Sequence, residues 1–144
     1  MQLGLTWGYW GRSIPADFVE IAKAAEDAGF DAVFSAESWG SDAFTPLAFL
    51  AAHTERIRLG TGVAQISART PVATAMQAIT LDQISAGRVI LGLGVSGPGV
   101  VEGWYGMPSR KPLARTREYV EILHRVFRRE GPLEYDGEHY QLPF

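Results

Sequence analysis

The sequence predicts an α/β fold on a parallel sheet, of (β/α)8 TIM-barrel type, with about the first four βα units present plus a terminal β-hairpin. Three observations predict it. Apolar runs alternate with helical patterns four times within 144 residues. The runs are apolar almost throughout, as strands covered on both faces have to be. The residues that carry chemistry fall just after those runs, where parallel α/β folds gather their ligands.

In chain order, Met1 to Thr6 is the first run, and it leads into the aromatic loop Trp7, Gly8, Tyr9, Trp10, Gly11. Pro15 suits the first turn of a helix in which Phe18, Ile21, Ala22, Ala25 and Ala28 share a face and Gly29 is the stop. The second strand covers residues 32–36 and ends at Glu37, and Thr45-Pro46 reads as cap and first position of a helix reaching His53. The third strand is 57–63, and Thr70-Pro71 opens a helix to about Ser85, with Gly87 beyond it. The fourth strand is 88–94. A long Gly/Pro loop follows, then a helix from about Pro112 to Arg129 that puts Val120, Leu123, Val126 and Phe127 on one face. Asp136-Gly137 predicts a hairpin within 132–144. The whole, 1–144, is expected as a single domain. Four such units fit half a barrel or an open doubly wound sheet; periodicity does not separate the two.

Composition narrows the function classes. A net charge of −3 gives no reason to expect a nucleic-acid partner. With no cysteine, disulfides and thiolate metal sites are excluded, and the three histidines are scattered, so no metal site is expected. No apolar run approaches the roughly 20 residues of a membrane span and no signal peptide opens the chain, so a cytoplasmic protein is the default.

Gly92-Leu93-Gly94-Val95-Ser96-Gly97 has the form G-x-G-x-x-G after a strand, the mark of a dinucleotide-binding turn. That motif should open a helix at once. Pro98 and Gly99 follow instead, the next helical pattern begins more than ten residues on, and no acidic residue ends a following strand. A Rossmann site is not expected. Glycines at a strand's C-terminal end also suit a phosphate, so Ser96, Gly97, Pro98 and Gly99 are candidates for one, with a purely structural turn as the alternative.

The other strand ends carry Trp7, Tyr9 and Trp10, then Glu37, Ser38 and Trp39, then Gly62, Val63, Ala64 and Gln65. Aromatic side chains beside one carboxylate and small polar groups suit a planar ligand. Glu37 is the candidate catalytic group, able to position or protonate a substrate; the alternative is an ion pair with Arg69 or Arg12. Arg69, before Thr70-Pro71, with Arg110, Lys111 and Arg115, after the glycine loop, form either a solvated rim or an anchor for a phosphate or polyanionic tail.

In Leu59-Gly60-Thr61-Gly62-Val63, Arg69-Thr70-Pro71, the run 78–88 and Leu91-Gly92-Leu93-Gly94, the chain resembles the bacterial luciferase-like monooxygenase family. The stretch 95–106 is similar to the family's branch that uses the deazaflavin coenzyme F420. The resemblance implies a (β/α)8 barrel, usually paired as a homodimer, and hydride transfer between F420 and a small organic substrate, with FMN as the alternative cofactor. It implies Glu37 near the reactive ring, with Trp7 at the site. Gly62 and Val63 fall at a cis turn behind the ring, Gln65 and Ser67 against ring heteroatoms, and Ser96, Gly97, Pro98 and Gly99 at the ribityl-phosphate end. Ser38 stands where many members have histidine, which leaves Glu37 as the obvious proton-handling group. The family's C-terminal half has no counterpart in these residues, so the chain is expected either to be completed by that half or to be a non-catalytic fragment.

Overall fold

The computed structural model describes residues 1–143; of the expected hairpin segment, Phe144 lies outside the described residues. The chain divides into two compact units, Met1–Ala64 with Thr80–Gly94, and Gln65–Ile79 with the chain from Val95 onward.

The first unit holds the parallel sheet. Its strands are β1 (Gly4–Thr6), β2 (Ala32–Ser35), β3 (Arg58–Thr61) and β5 (Val89–Ile90), in the order β1-β2-β3-β5. Leu5 lies opposite Val33, Val33 opposite Leu59, and Leu59 opposite Val89. Val33 and Leu59 are fully buried, and so are Leu47 and Leu50 of α2 (Phe44–Ala51) and Ala22 of α1 (Phe18–Asp27). Each large side chain buried this way stabilises by about 1.5–3 kcal/mol.

Several boundaries differ from expectation. The first helix begins at Phe18, because Pro15 forms a preceding turn whose carbonyl accepts the Phe18 N–H at 3.2 Å. It does stop at Gly29, at φ +81°. Thr45-Pro46 is not the cap of α2; Asp42 is the capping side chain, its Oδ1 accepting from Phe44 and Thr45 N–H at 2.8 Å each. The helix ends at Ala51, before His53. The fourth strand is interrupted. After β5 the Thr61 hydroxyl accepts from Gly92 N–H at 2.8 Å and donates to Gly92 O at 2.7 Å, and β6 (Leu93–Gly94) resumes afterwards. A Cβ at residue 92 would overlap the Thr61 carbonyl oxygen, so only glycine fits.

α3 (Pro71–Ile84) starts as expected, with Thr70 Oγ1 accepting from Ala73 N–H at 3.2 Å. β4 (Ala64–Gln65) is a two-residue strand after β3. The second unit centres on α5 (Pro112–Arg128). Its buried face is Arg115, Tyr119, Ile122 and Leu123; of the expected stripe only Leu123 belongs to it, Val120 and Val126 are half-buried, and Phe127 is exposed. Tyr119 sets this rotation, since its hydroxyl bonds Thr74 Oγ1 in the unit's interior. The G-x-G-x-x-G string leads after all into a short helix, α4 (Pro98–Val101), with Pro98 at its first position. The closing hairpin is β7 (Glu134–Asp136) with β8 (Gln141–Pro143). Its loop is Gly137–Tyr140 rather than a two-residue Asp-Gly turn. The Glu118 carboxylate accepts the N–H groups of Glu138, His139 and Tyr140 at 2.9–3.1 Å and fixes that wider loop.

Candidate cofactor-binding site

Parallel strands in register deliver their C-terminal ends along one edge. In the first unit Thr6 lies opposite Phe34 and Ser35 opposite Thr61. The pairing runs on past the strands, with Trp7 N–H donating to Phe34 O at 3.4 Å and Gly62 N–H to Ser35 O at 2.8 Å. Trp7, Glu37, Gly62 and Val63 therefore all leave the same edge of the sheet. Glu37 is 4% exposed, a carboxyl group taken almost wholly out of water. Val63 is 40% exposed, and the Gly62–Val63 peptide is cis. The Trp7 and Trp10 rings meet Phe18 edge-on at 5.1 and 5.3 Å, and their buried indole N–H groups have no acceptor among the described residues. Beside this edge a cleft of about 490 Å³ opens between the loops after β1 and β2, with Trp10, Arg12, Phe18, Asp42 and Phe49 in its walls. Composition pointed to the aromatics but not to this cleft, which depends on the two loops meeting.

The remaining predicted residues belong to the second unit. Gln65 and Ser67 are buried, whereas Ser96, Gly97, Pro98 and Gly99 are exposed. Ser67, Ser96 and Pro98 come together in a smaller cleft of about 100 Å³, whose other walls include Ser109 and Arg115. Gly97 and Gly99 are not among its lining residues. Ser109 donates its hydroxyl to Glu102 at 2.5 Å and its N–H at 3.2 Å, and these two bonds hold the Glu102 carboxyl below the usual carboxylate range. Arg115 is 9% exposed; its Nε donates to the Tyr140 hydroxyl at 2.9 Å and an Nη1 N–H to Pro108 O at 3.4 Å. Of the basic trio after the glycine loop, Lys111 pairs with Glu138 at 2.5 Å, so it acts on the hairpin. Tyr140, 25 residues beyond Arg115, carried no signal in the sequence. Among the described residues no three His, Cys, Asp or Glu side chains gather, and no helix is long and apolar enough to cross a membrane.

The chain as a whole has counterparts among known proteins. Residues 7–143 match the model of the family described as luciferase-like monooxygenase. The chain belongs to that family. Among luciferase-like relatives, a Mycobacterium tuberculosis protein named as a coenzyme F420-dependent oxidoreductase is 62% identical over 143 residues, 99% of this chain and 41% of its own length. The 5,10-methylenetetrahydromethanopterin reductase of Archaeoglobus fulgidus is 37% identical over 117 residues, 81% of this chain and 35% of its own. The monooxygenase RslO1 of Streptomyces bottropensis superposes with a TM-score of 0.88 at 26% identity, over 99% of this chain and 47% of that one. The F420-dependent tetrahydromethanopterin reductase of Methanopyrus kandleri does so at 0.82 and 27%, over 98% and 44%. The chain thus spans less than half the length of these luciferase-like relatives. Its α/β fold, with a parallel sheet, is that of their TIM barrels.

Proposed function

We propose that this chain forms the ring-holding part of an oxidoreductase that uses coenzyme F420 to move a hydride to or from a small organic substrate. The observation that carries the reading is Glu37. It is a carboxyl group buried at the strand ends, beside a cis turn that leaves Val63 exposed. A carboxyl group buried at the strand ends, where parallel α/β folds gather their ligands, is a candidate for chemistry by its position.

The residues fit the cofactor chemically. Val63 offers an apolar surface to a planar ring, and a side chain on Gly94 would overlap Val63, so the ground beside it is kept bare. The Ser67 and Ser96 hydroxyls have no partner among the described residues and are available to a polar chain. When bound, F420 supplies a ring carbon that accepts or releases a hydride. In the first unit, Trp7, Gly62 and Val63 would seat a ring; in the second, Gln65 and Ser67 would bond ring heteroatoms, and Ser96, Gly97, Pro98 and Gly99 would receive a ribityl-phosphate end. Glu37 holds the substrate's polar group or moves a proton to it. Name and likeness of the M. tuberculosis and M. kandleri relatives support F420. The same seat with FMN is the alternative reading.

Glu37→Gln keeps shape and removes the charge. With F420 and the completing C-terminal half supplied, this variant should bind F420 within about twofold of the parent while turnover falls by about 10²-fold or more. Fluorescence titration and single-turnover absorbance measure the two quantities. Unchanged turnover would remove Glu37 from the chemistry.

A further inference from the structure

We infer that Thr61 is a positioning residue of the candidate site: its hydroxyl fixes the turn at residues 62–63 against the fourth strand and so sets where Val63 stands. The role at the turn rests on contacts within the first unit alone; its consequence for a bound ring rests on the reading above.

The sheet register shows what the hydroxyl replaces. β3 runs beside β5 with Leu59 opposite Val89 and Gly60 opposite Ile90. Continued one step, that register sets Thr61 opposite Leu91, and a regular parallel ladder would take the Gly92 N–H onto the Thr61 carbonyl. The chain departs from the ladder here. The Gly92 N–H donates instead to Thr61 Oγ1 at 2.8 Å, and the hydroxyl donates to Gly92 O at 2.7 Å. One side chain thus takes both backbone groups of the residue at which the fourth strand breaks, and that strand resumes only at β6. Thr61 is 1% exposed, so both bonds are shielded from water. The branch at Cβ restricts the χ1 of a threonine, which presets the direction of the hydroxyl.

The same carbonyl closes the turn. Gly92 O also accepts the Ala64 N–H at 2.8 Å, so residues 61 and 64, the two flanks of the turn, are tied to one oxygen. On the side of β2 the Gly62 N–H donates to Ser35 O at 2.8 Å. Thr61 and Ala64 are both buried, while Val63 between them stands out of the sheet edge. The backbone packed against Val63 is the stretch that Thr61 holds. A Cβ at residue 94 would overlap Val63 Cγ2, and one at residue 92 would lie 3.5 Å from Val63 Cγ1. Thr61 therefore acts through Gly92 rather than on a ligand. Without the hydroxyl, the Gly92 N–H loses its acceptor and the Ala64 N–H alone is left to hold Gly92 O.

Three variants test this. Thr61→Val keeps the shape and removes the hydroxyl, and Thr61→Ser keeps the hydroxyl. Ile57→Val trims a buried side chain beside the opposite end of β3 and controls for lost stability. Amide exchange followed by NMR reads the turn with no ligand present. In Thr61→Val the Ala64 amide should exchange at least about 10-fold faster relative to the amides of β2, and in Thr61→Ser it should stay within about threefold of the parent. Ile57→Val should leave that ratio unchanged. Fluorescence titration with F420 reads the consequence: a loss of at least about 10-fold in Thr61→Val, recovered in Thr61→Ser and absent in Ile57→Val. If the parent binds neither F420 nor FMN, the cofactor reading falls, and the exchange ratio alone decides the role of Thr61. If Thr61→Val does not fold, the parent decides. Its Thr61 hydroxyl proton should then give a slowly exchanging resonance with a nuclear Overhauser contact to the Ala64 amide, and the lack of that resonance overturns the inference. An unchanged exchange ratio in folded Thr61→Val overturns it too, as does F420 affinity in that variant equal to a binding parent's.

Discussion

Gly92 and Gly97 belong to one glycine string, yet the structure asks different things of them. A side chain at 92 would enter the Thr61 carbonyl, whereas one at 97 would meet nothing within 4 Å, and Gly97 has an extended backbone that any residue adopts. Gly92→Ala should therefore destabilise by about 1–3 kcal/mol, as over-packing does, while Gly97→Ala should stay within about 0.5 kcal/mol. Urea unfolding of the two variants measures this, and equal losses would show that both glycines serve the fold. The sequence could not make this distinction. G-x-G-x-x-G reads the same whether a glycine yields to a neighbouring carbonyl or to a ligand, and the carbonyl concerned lies 31 positions earlier. Glu37 was legible for the opposite reason: it follows directly on an apolar strand, so local pattern alone places it at the strand's end. The Gly62–Val63 turn came from the family resemblance, because the apolar pattern of 57–63 runs through it, whereas the strand ends at Thr61. Arg115 was legible as a cation, but its burial depends on Tyr119 and Tyr140, both distant in the chain.

At the scale of elements, α1 is tied to the turn before β3 by one carboxylate. Glu26 accepts from the N–H groups of Arg56 at 2.5 Å, Ile57 at 2.7 Å and Glu55 at 3.0 Å. Burial pushes its carboxyl up, but the donations from Ile57, Arg56 and Glu55, with the Arg56 charge, outweigh that and hold it below the ordinary value of 4.5. A folded-state value below the unfolded one contributes stability above the unfolded value and loses it as pH falls through the folded one. Glu26→Gln should thus cost about 1–2 kcal/mol near neutrality, an allowance made for partial exposure, and the gap to the parent should close as pH drops below about 4. Thermal unfolding from pH 7 to pH 3 checks it; a gap that persists in acid would mean the bonds do not depend on the charge. Elements as such were readable wherever helix or strand period was strong. Their ends were not, because Asp42 displaced Thr45 as the cap of α2 and the Thr61 hydroxyl interrupted the fourth strand.

For the molecule, α/β order and the parallel sheet were legible because four apolar runs each need a helical cover and the covers alternate with them in sequence. The hairpin was legible from Asp136-Gly137, though its loop geometry was not, since the carboxylate that shapes it comes from Glu118 on another element. What the strand ends hold is the claim on which the functional account turns. Fluorescence titration of the 144-residue chain with F420, with FMN in parallel, tests it most directly. The account predicts saturable binding of F420, tighter than that of FMN and weakened when Ser67 and Ser96 are both replaced by alanine. A folded chain that perturbs the fluorescence of neither cofactor would contradict it.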